Sequence, residues 1–285
     1  MSRIAYVNGR YLPLAEAMVH VEDRGYQFGD GVYEVCEVRD GRLIDERRHL
    51  ERLQRSLGEL RIRLPMALRA LDIVFHEVVA RNRISYGIVY LQITRGVARR
   101  DHAFPTVPVK PSIVVTARAL NKTRNEALAE RGIAVITALD NRWGRVDIKT
   151  IGLLPNVLAR QAAIERGARD AWFVDSDGKV TEAASANAWI VTAAGTVVMR
   201  PADHSILRGI TRTVLLDVIK AQGLKLEERA FTLKEAYSAR EAFITSASQI
   251  VLPVVRIDDR PIGNGEPGLI ATALRREFHR FAEAG

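Results

Sequence analysis

Residues 145–156 read RVDIKTIGLLPN, and Lys149 is the one amine in a run of mostly branched aliphatic side chains. The chain uses lysine sparingly: seven of its 42 basic residues are lysine, so arginine carries most of the cationic surface. A lysine set among Ile148, Ile151, Leu153 and Leu154 therefore needs a reason. Burial disfavours an ammonium ion relative to the neutral amine, which is how enzymes make a nucleophilic amine for Schiff-base chemistry. A lone lysine near apolar residues also commonly snorkels, its stem on the apolar surface and its charge in water. The segment alone leaves both readings open.

Composition narrows the class. At 285 residues there is room for two domains or one large one, and 47% hydrophobic with 27% charged residues is globular composition. A formal net charge of +8 invites a non-catalytic nucleic-acid-binding reading. The arginines, however, are spread along the whole chain and no zinc-finger or RNP signature accompanies them, so they read as solvated surface plus a few anion sites. The only cysteine, Cys36, lies in an alternating apolar stretch and is expected to pack as a small hydrophobe. The opening MSRIAYVNGRYLP lacks the apolar core of a signal peptide, and no stretch approaches the roughly 20 apolar residues of a membrane helix. A soluble cytoplasmic protein, with neither membrane nor nucleic acid as partner, is the expectation.

Along the chain, AYVNGRYLP reads as a hairpin turning at Asn8-Gly9, and GVYEVCEV as a strand followed by a turn at Asp40-Gly41. Asp45 is placed to cap a helix whose Leu50, Leu53, Leu57 and Leu60 recur at three- and four-residue steps. PMALRALDIVFHEVVARN predicts a second helix with Pro65 in its first turn, and YGIVYLQITRG and SIVVTARAL predict strands. The polar stretch ALNKTRNEA predicts a linker over 119–127, which divides the chain into a small domain, 1–118, and a larger one, 128–285. Beyond it follow the strand GIAVITALD, the helix NVLARQAAIERG, the strand pairs of DAWFVDSDGKVTEA and NAWIVTAAGTVVMRP, and the amphipathic helix GITRTVLLDVIKAQG. Strands and helices that mix without regular alternation argue for an α+β architecture over a doubly wound parallel sheet.

Three features bear on Lys149. Glu182, in KVTEAASANAWIV, sits at the end of a strand hairpin; a carboxylate held against a heteroaromatic nitrogen keeps it protonated, as a pyridoxal phosphate site requires, though a strand-end acid is also an ordinary surface group. In LRGITRT, Gly209 lets the backbone approach closely and the first-turn amides of Ile210 and Thr211 lack partners inside the helix, which makes a phosphate cradle or simply a helix start. In FITSASQI, Ser246 and the neighbouring amides offer hydrogen-bonding groups at a strand end.

Taken in order, DRGYQFGDGVYEV at 23–35, HLERL at 49–53, TRGVARRDHAFP at 94–105, DIKTIGLLPNVLA at 147–159, VTEAASAN at 180–187, ILRGITR at 206–212 and FITSAS at 243–248 resemble the fold-type IV pyridoxal-phosphate enzymes, specifically the D-amino-acid aminotransferases. The resemblance covers nearly the full chain. It implies two mixed α/β domains with pyridoxal 5'-phosphate between them, a homodimer with its site near the interface, and no metal. It makes Lys149 the residue that carries the cofactor covalently and then shuttles the proton, and Glu182 the partner of the pyridine nitrogen. Arg52 would hold the phosphate, with Ile210, Thr211, Ser246 and Ala247 completing the cup. Tyr33, Arg100 and His102 would grip the α-carboxylate of a D-amino acid, Arg100 and His102 reaching in from the other subunit; an arginine fork can donate two parallel hydrogen bonds to a carboxylate.

The implied activity is ping-pong transamination of D-amino acids of the D-alanine class with pyruvate or 2-oxoglutarate, through pyridoxamine phosphate. Alternatives inside the family are a branched-chain L-amino-acid aminotransferase, an aminodeoxychorismate lyase and an R-selective amine transaminase; the Arg-x-His loop favours the D-amino-acid reading over all three. Two positions depart from the pattern. Ala247 stands where relatives commonly carry threonine, and Ile250 where many carry glutamate. An alanine amide still donates to phosphate, but the missing hydroxyl would weaken cofactor retention.

Overall fold

The strand expected in GVYEVCEV runs over Gly31–Arg39 in the computed structural model, which describes residues 3–284. Residues 3–121, 148–152 and 283–284 pack into one compact unit, residues 122–147 and 153–282 into another.

In the first unit, β1 (Ile4–Val7) and β2 (Arg10–Pro13) form the hairpin that turns at Asn8-Gly9, and a short helix α1 (Arg24–Phe28) precedes β3 (Gly31–Arg39). Then come β4 (Arg42–Leu43), α2 (Glu46–Glu59), α3 (Leu68–Asn82), β5 (Tyr86–Thr94) and β6 (Ser112–Ala119). The sheet order is β2-β1-β6-β5-β3-β4, with every pairing antiparallel. Leucines 50, 53 and 57 of α2 and Leu71, Val74, Phe75 and Val78 of α3 bury one face of that sheet against Val32, Cys36, Val38, Val89 and Leu91. Each such side chain contributes about 1.5–3 kcal/mol. Cys36 packs here as a free thiol, as its sequence context predicts.

Glu34 shares that core-facing parity with Val32, Cys36 and Val38 and is only 1% exposed. A carboxylate cannot be left bare there. Arg52 donates to both its oxygens from Nε and Nη2, each at 2.7 Å, and His49 Nδ1 lies 2.7 Å from Oε2. Burial pushes the Glu34 carboxyl up, but the Arg52 guanidinium and its hydrogen bonds, with His49, outweigh burial and hold it well below the usual carboxylate range. Burial, joined by the Arg52 and Lys149 charges, outweighs Glu34 at His49 and brings the imidazole below its ordinary value. This triad ties α2 to β3.

In the second unit the order is α4 (Lys122–Arg131), β7 (Ile133–Leu139), α5 (Leu154–Glu165), β8 (Asp170–Val174), β9 (Lys179–Ala183), β10 (Asn187–Val191), β11 (Val197–Met199) and α6 (Ile210–Ala221). It continues through β12 (Leu226–Glu228), β13 (Phe231–Thr232), α7 (Leu233–Tyr237), β14 (Glu241–Ser246), β15 (Ile250–Ile257), β16 (Arg260–Pro261) and α8 (Leu269–Glu277). Its strands form one sheet, β12-β11-β10-β14-β15-β7-β8-β9-β13, with β16 paired to β15. The pairs β7–β8, β7–β15 and β11–β12 are parallel and the rest antiparallel, so the mixed α+β expectation holds.

Several local expectations are corrected. The stretch read as a linker, 119–127, is largely helix: α4 begins at Lys122, with Asn125 and Ala129 buried one turn apart and the polar residues on its wet face. Strong helix formers there outweigh the loop-like polarity. Residues 148–152 belong with the first unit although they lie well inside the stretch read as the second domain. Asp45 does occupy the position before α2 but makes no cap; its φ is +55° and its carboxylate takes Arg48 and the Glu283 amide instead. Pro65 precedes α3, which starts at Leu68, while Pro155 lies in the first turn of α5, which starts earlier than NVLAR suggests.

Replacing Glu34 by Gln should leave the Arg52 charge buried without its counter-ion and cost about 3–5 kcal/mol at pH 7, read as a lower urea midpoint. The carboxyl sits lower in the folded than in the unfolded chain. Its contribution is therefore complete above about pH 4.5, the ordinary glutamate value, and fades as pH falls below that. The gap between wild type and Glu34→Gln should close on acidification, and a gap that widens would contradict the ion-pair account.

Candidate active site

Because β4 is two residues long and covers only Val38 and Arg39, the same edge of β3 is open at its other end. Residues 149–151 fill it. The Tyr33 amide donates to the Lys149 carbonyl at 3.0 Å and the Ile151 amide to the Gly31 carbonyl at 3.1 Å, with Val32 and Thr150 as an antiparallel bridge. A Cβ on Gly31 would lie 2.7 Å from the Ile93 carbonyl oxygen, so the close approach of β5 on the opposite side requires glycine there.

This pairing sets Lys149 Nζ 4.3 Å from the centroid of the Tyr33 ring. The ring in turn stacks on Tyr90 at 5.7 Å. The Lys149 amide meets Ser56 Oγ on α2 at 3.4 Å, one helical turn after Arg52. Lys149 is half-buried, not sealed among aliphatic groups: Ile148 is buried, whereas Leu154 is 68% exposed. Neither deep burial nor a free snorkel describes it.

Arg100 and His102 stand in the loop between β5 and β6, both exposed, and both rest on Phe28: the Arg100 guanidinium is 4.7 Å and the His102 ring 5.5 Å from its centroid. The loop is anchored from below by charge. The buried Arg24 donates from Nη1 to the Asp101 carbonyl at 2.6 Å and from Nε to Asp30 Oδ2 at 2.8 Å. Arg95 forks onto the same Asp30 at 2.7 and 2.9 Å and reaches the Leu60 and Arg61 carbonyls. Burial raises the Asp30 carboxyl, but the hydrogen bonds and charges of the two guanidinium groups bring it below its ordinary value.

In the second unit, Glu182 is buried near the end of β9 and surrounded by donors. Arg142 Nη1 donates to Oε1, Asn187 Nδ2 to Oε2 at 3.0 Å, and the Leu207 amide reaches both oxygens at 3.3 Å. Arg142 is itself gripped by Asp140 at 2.7 and 2.9 Å and lies 4.5 Å over the Phe173 ring. Burial lowers the Arg142 guanidinium, and the two carboxylates more than reverse that, so it stays charged.

Asn187 also donates to the Leu207 carbonyl at 2.8 Å. A Cβ on Gly209 would come within 2.2 Å of Asn187 Oδ1, so any larger residue there would displace the Asn187 amide. Ile210 and Thr211 open that helix, both buried, with first-turn amides that have no carbonyl partner inside it. Asn187 pairs across the sheet with Thr245, the residue before Ser246, and Ala247 begins the turn to β15. Glu182, Asn187, Gly209 and the end of β14 thus form one neighbourhood. Ile250, where many relatives carry glutamate, closes that turn buried and at φ +61°, a conformation disfavoured for a β-branched residue.

Arg24, Asp30, Glu34, His49, Asp140 and Arg142 were not singled out from the sequence. Glu34 had a legible signal, a carboxylate at core-facing parity in a strand, which demands a cationic partner. Arg142, in NRWGR, had none.

The family model described as "Amino-transferase class IV" matches residues 31–257. A D-alanine aminotransferase of Staphylococcus haemolyticus is 37% identical over 98% of each chain, and one of Listeria innocua is 38% identical over 95% of this chain and 93% of the other. Among solved structures, a branched-chain amino acid aminotransferase of T.th. with pyridoxamine 5'-phosphate superposes with a TM-score of 0.90 at 25% identity, covering 98% of this chain and 94% of the other. With both the family match and full-length identity above a third, the chain belongs to the class IV amino-transferases.

Proposed function

We propose that this chain transfers the amino group of a D-amino acid of the D-alanine class to a 2-oxo acid, pyruvate or 2-oxoglutarate, with pyridoxal 5'-phosphate as cofactor. The observation that carries the reading is the edge pairing that sets Lys149 Nζ against the Tyr33 ring. Identities of 37–38% over nearly the whole length to proteins named D-alanine aminotransferase support the substrate class. The branched-chain relatives share the fold at lower identity, and the alternative built on them is the weaker one.

The residues present fit the cofactor. Gly209 leaves the start of α6 open where a Cβ would collide with Asn187, so the Ile210 and Thr211 amides are offered to a phosphate, and Ser246 ends the strand beside Asn187's own with Ala247 next to it in the turn. Glu182, aligned by Arg142, Asn187 and the Leu207 amide, suits a protonated pyridine nitrogen. When bound, the cofactor supplies the electron sink and the carrier for the amino group.

Lys149 would hold the cofactor covalently, and its amine would serve as the proton carrier at the substrate Cα. Arg52, oriented by Glu34, contributes a charge-assisted donor to the phosphate. Arg100, with His102 and Tyr33, grips the substrate carboxylate, and Arg24 with Asp30 holds the loop in position.

A homodimer belongs to this reading, with Arg100 and His102 supplied to the partner's site. Exposed Leu154, Val157 and Leu158 along α5 give a second copy an apolar face to cover. Among the described residues no helix is long and apolar enough to cross a membrane.

The purified protein should be yellow, with a visible band that borohydride removes. Lys149→Ala should lose that behaviour and lower D-alanine turnover by at least about 10²–10⁴-fold, the scale of a positioned proton carrier, with an unchanged far-UV circular dichroism spectrum; normal turnover would refute the assignment. Arg100→Ala should lower kcat/KM for D-alanine by roughly 10- to 100-fold, since charged hydrogen bonds contribute about 1.5–3 kcal/mol. It should leave (R)-1-phenylethylamine nearly unaffected, and equal losses for both substrates would count against a carboxylate role. Arg24→Ala, which touches no substrate, should raise KM for D-alanine more than it changes kcat. A panel of D-alanine, D-glutamate, L-alanine and L-leucine against both 2-oxo acids tests the substrate class, and a preference for L-leucine would overturn it.

A further inference from the structure

On the first unit, away from Lys149, the first residue of α2 and one face of α3 bring together Glu46, Asp72 and His76. Asp72 and His76 are four apart on one helix and so project from the same face. Their ligand atoms all lie within 4.8 Å of one another. Both Glu46 Oε2 and Asp72 Oδ1 are 3.4 Å from His76 Nε2.

That separation is long for a hydrogen bond. It matches the spacing of about 3.3 Å between ligand atoms arranged tetrahedrally around an ion at about 2.0–2.1 Å. Glu46 supplies an independent sign. It is 9% exposed, and its Oε1 has no hydrogen-bond partner among the described residues. A carboxylate buried in this way calls for a counter-charge. The groups gathered beside it are a second carboxyl, Asp72, and the His76 imidazole, both of them metal-ligating side chains.

We propose that Glu46, Asp72 and His76 bind one divalent metal ion of the zinc class, with solvent completing its coordination. Two carboxylates balance the charge of the ion, and the imidazole selects zinc over magnesium, which prefers an all-oxygen shell. Asp72 and His76 are 45% and 43% exposed, so the ion enters from solvent and the shell keeps room for water. Bound there, it clamps the start of α2 to α3. Because α2 also carries His49 and Arg52, the ion would stiffen the helix that holds the Glu34 triad without taking part in the chemistry.

Untagged holoenzyme, treated with EDTA and dialysed free of it, should take up one Zn2+ per chain in calorimetric titration with ZnCl2, and its Tm should rise with zinc and not with MgCl2. His76→Ala and Asp72→Asn should each weaken that binding by at least about tenfold and remove the zinc-dependent rise, while keeping the wild-type far-UV spectrum. Glu46→Gln, which keeps the shape of the side chain, should also lose the zinc response. The proposal is overturned if the wild type takes up no zinc, or if the three variants bind it as the wild type does. It is equally overturned if Asp72→Asn changes Tm while zinc leaves the wild type unmoved, because the cluster would then be a pair of carboxyls sharing a proton.

Discussion

The backbone pairing of Lys149–Ile151 with Gly31–Tyr33 is the contact that fixes where Lys149 sits in the first unit. A sheet edge with unpaired amides and carbonyls must be satisfied by something. Here the short β4 leaves half of that edge bare, and a segment more than a hundred residues away in sequence fills it. Lys149 is thereby held by main-chain hydrogen bonds, which set where its stem begins, while its amine faces a tyrosine of the same strand. The side chain stays half-buried, and its anchorage does not rely on packing.

The same strand organises the charges around it. Its core-facing Glu34 fixes Arg52 and His49 on α2, and Asp30, just before it, gathers Arg24 and Arg95 under the loop that bears Arg100 and His102. The second unit uses the same device, with Asp140 and Glu182 sharing Arg142. These buried pairs revise the reading of the chain's arginines as mostly solvated surface. Arg24, Arg52, Arg95 and Arg142 are each enclosed and doubly engaged by carboxylate or carbonyl oxygens, which suits a planar fork better than it would suit lysine. Buried ion pairs of this kind contribute less to net stability than to a single fixed geometry. Fixed geometry is what an anion-binding site requires.

Legibility followed the range of the interaction. The hairpin at Asn8-Gly9, the alternating strands and the leucine face of α2 were readable because turn chemistry and periodicity act over a few residues. The helix α4 was misread because its polar residues are its solvent face, and polarity without a long apolar stripe looks like a loop. Lys149, Glu182 and the start of α6 were singled out through an ordered set of short motifs. The partners that align them were not, because Arg142 meets Glu182 across 40 residues and Arg24 meets Asp101 across 77.

By itself the sequence determined the fold class, the order of most elements and the family, because these follow from local pattern and from motif order. Only the tertiary structure decided that Lys149 belongs to the first unit, that Arg52 is held by Glu34, and that the Arg100 loop hangs on Asp30 through Arg24. Unfilled strand edges and buried charges can be satisfied by any distant segment with the right groups. Which one arrives is settled by the packing of the whole chain, and no window along the sequence contains it.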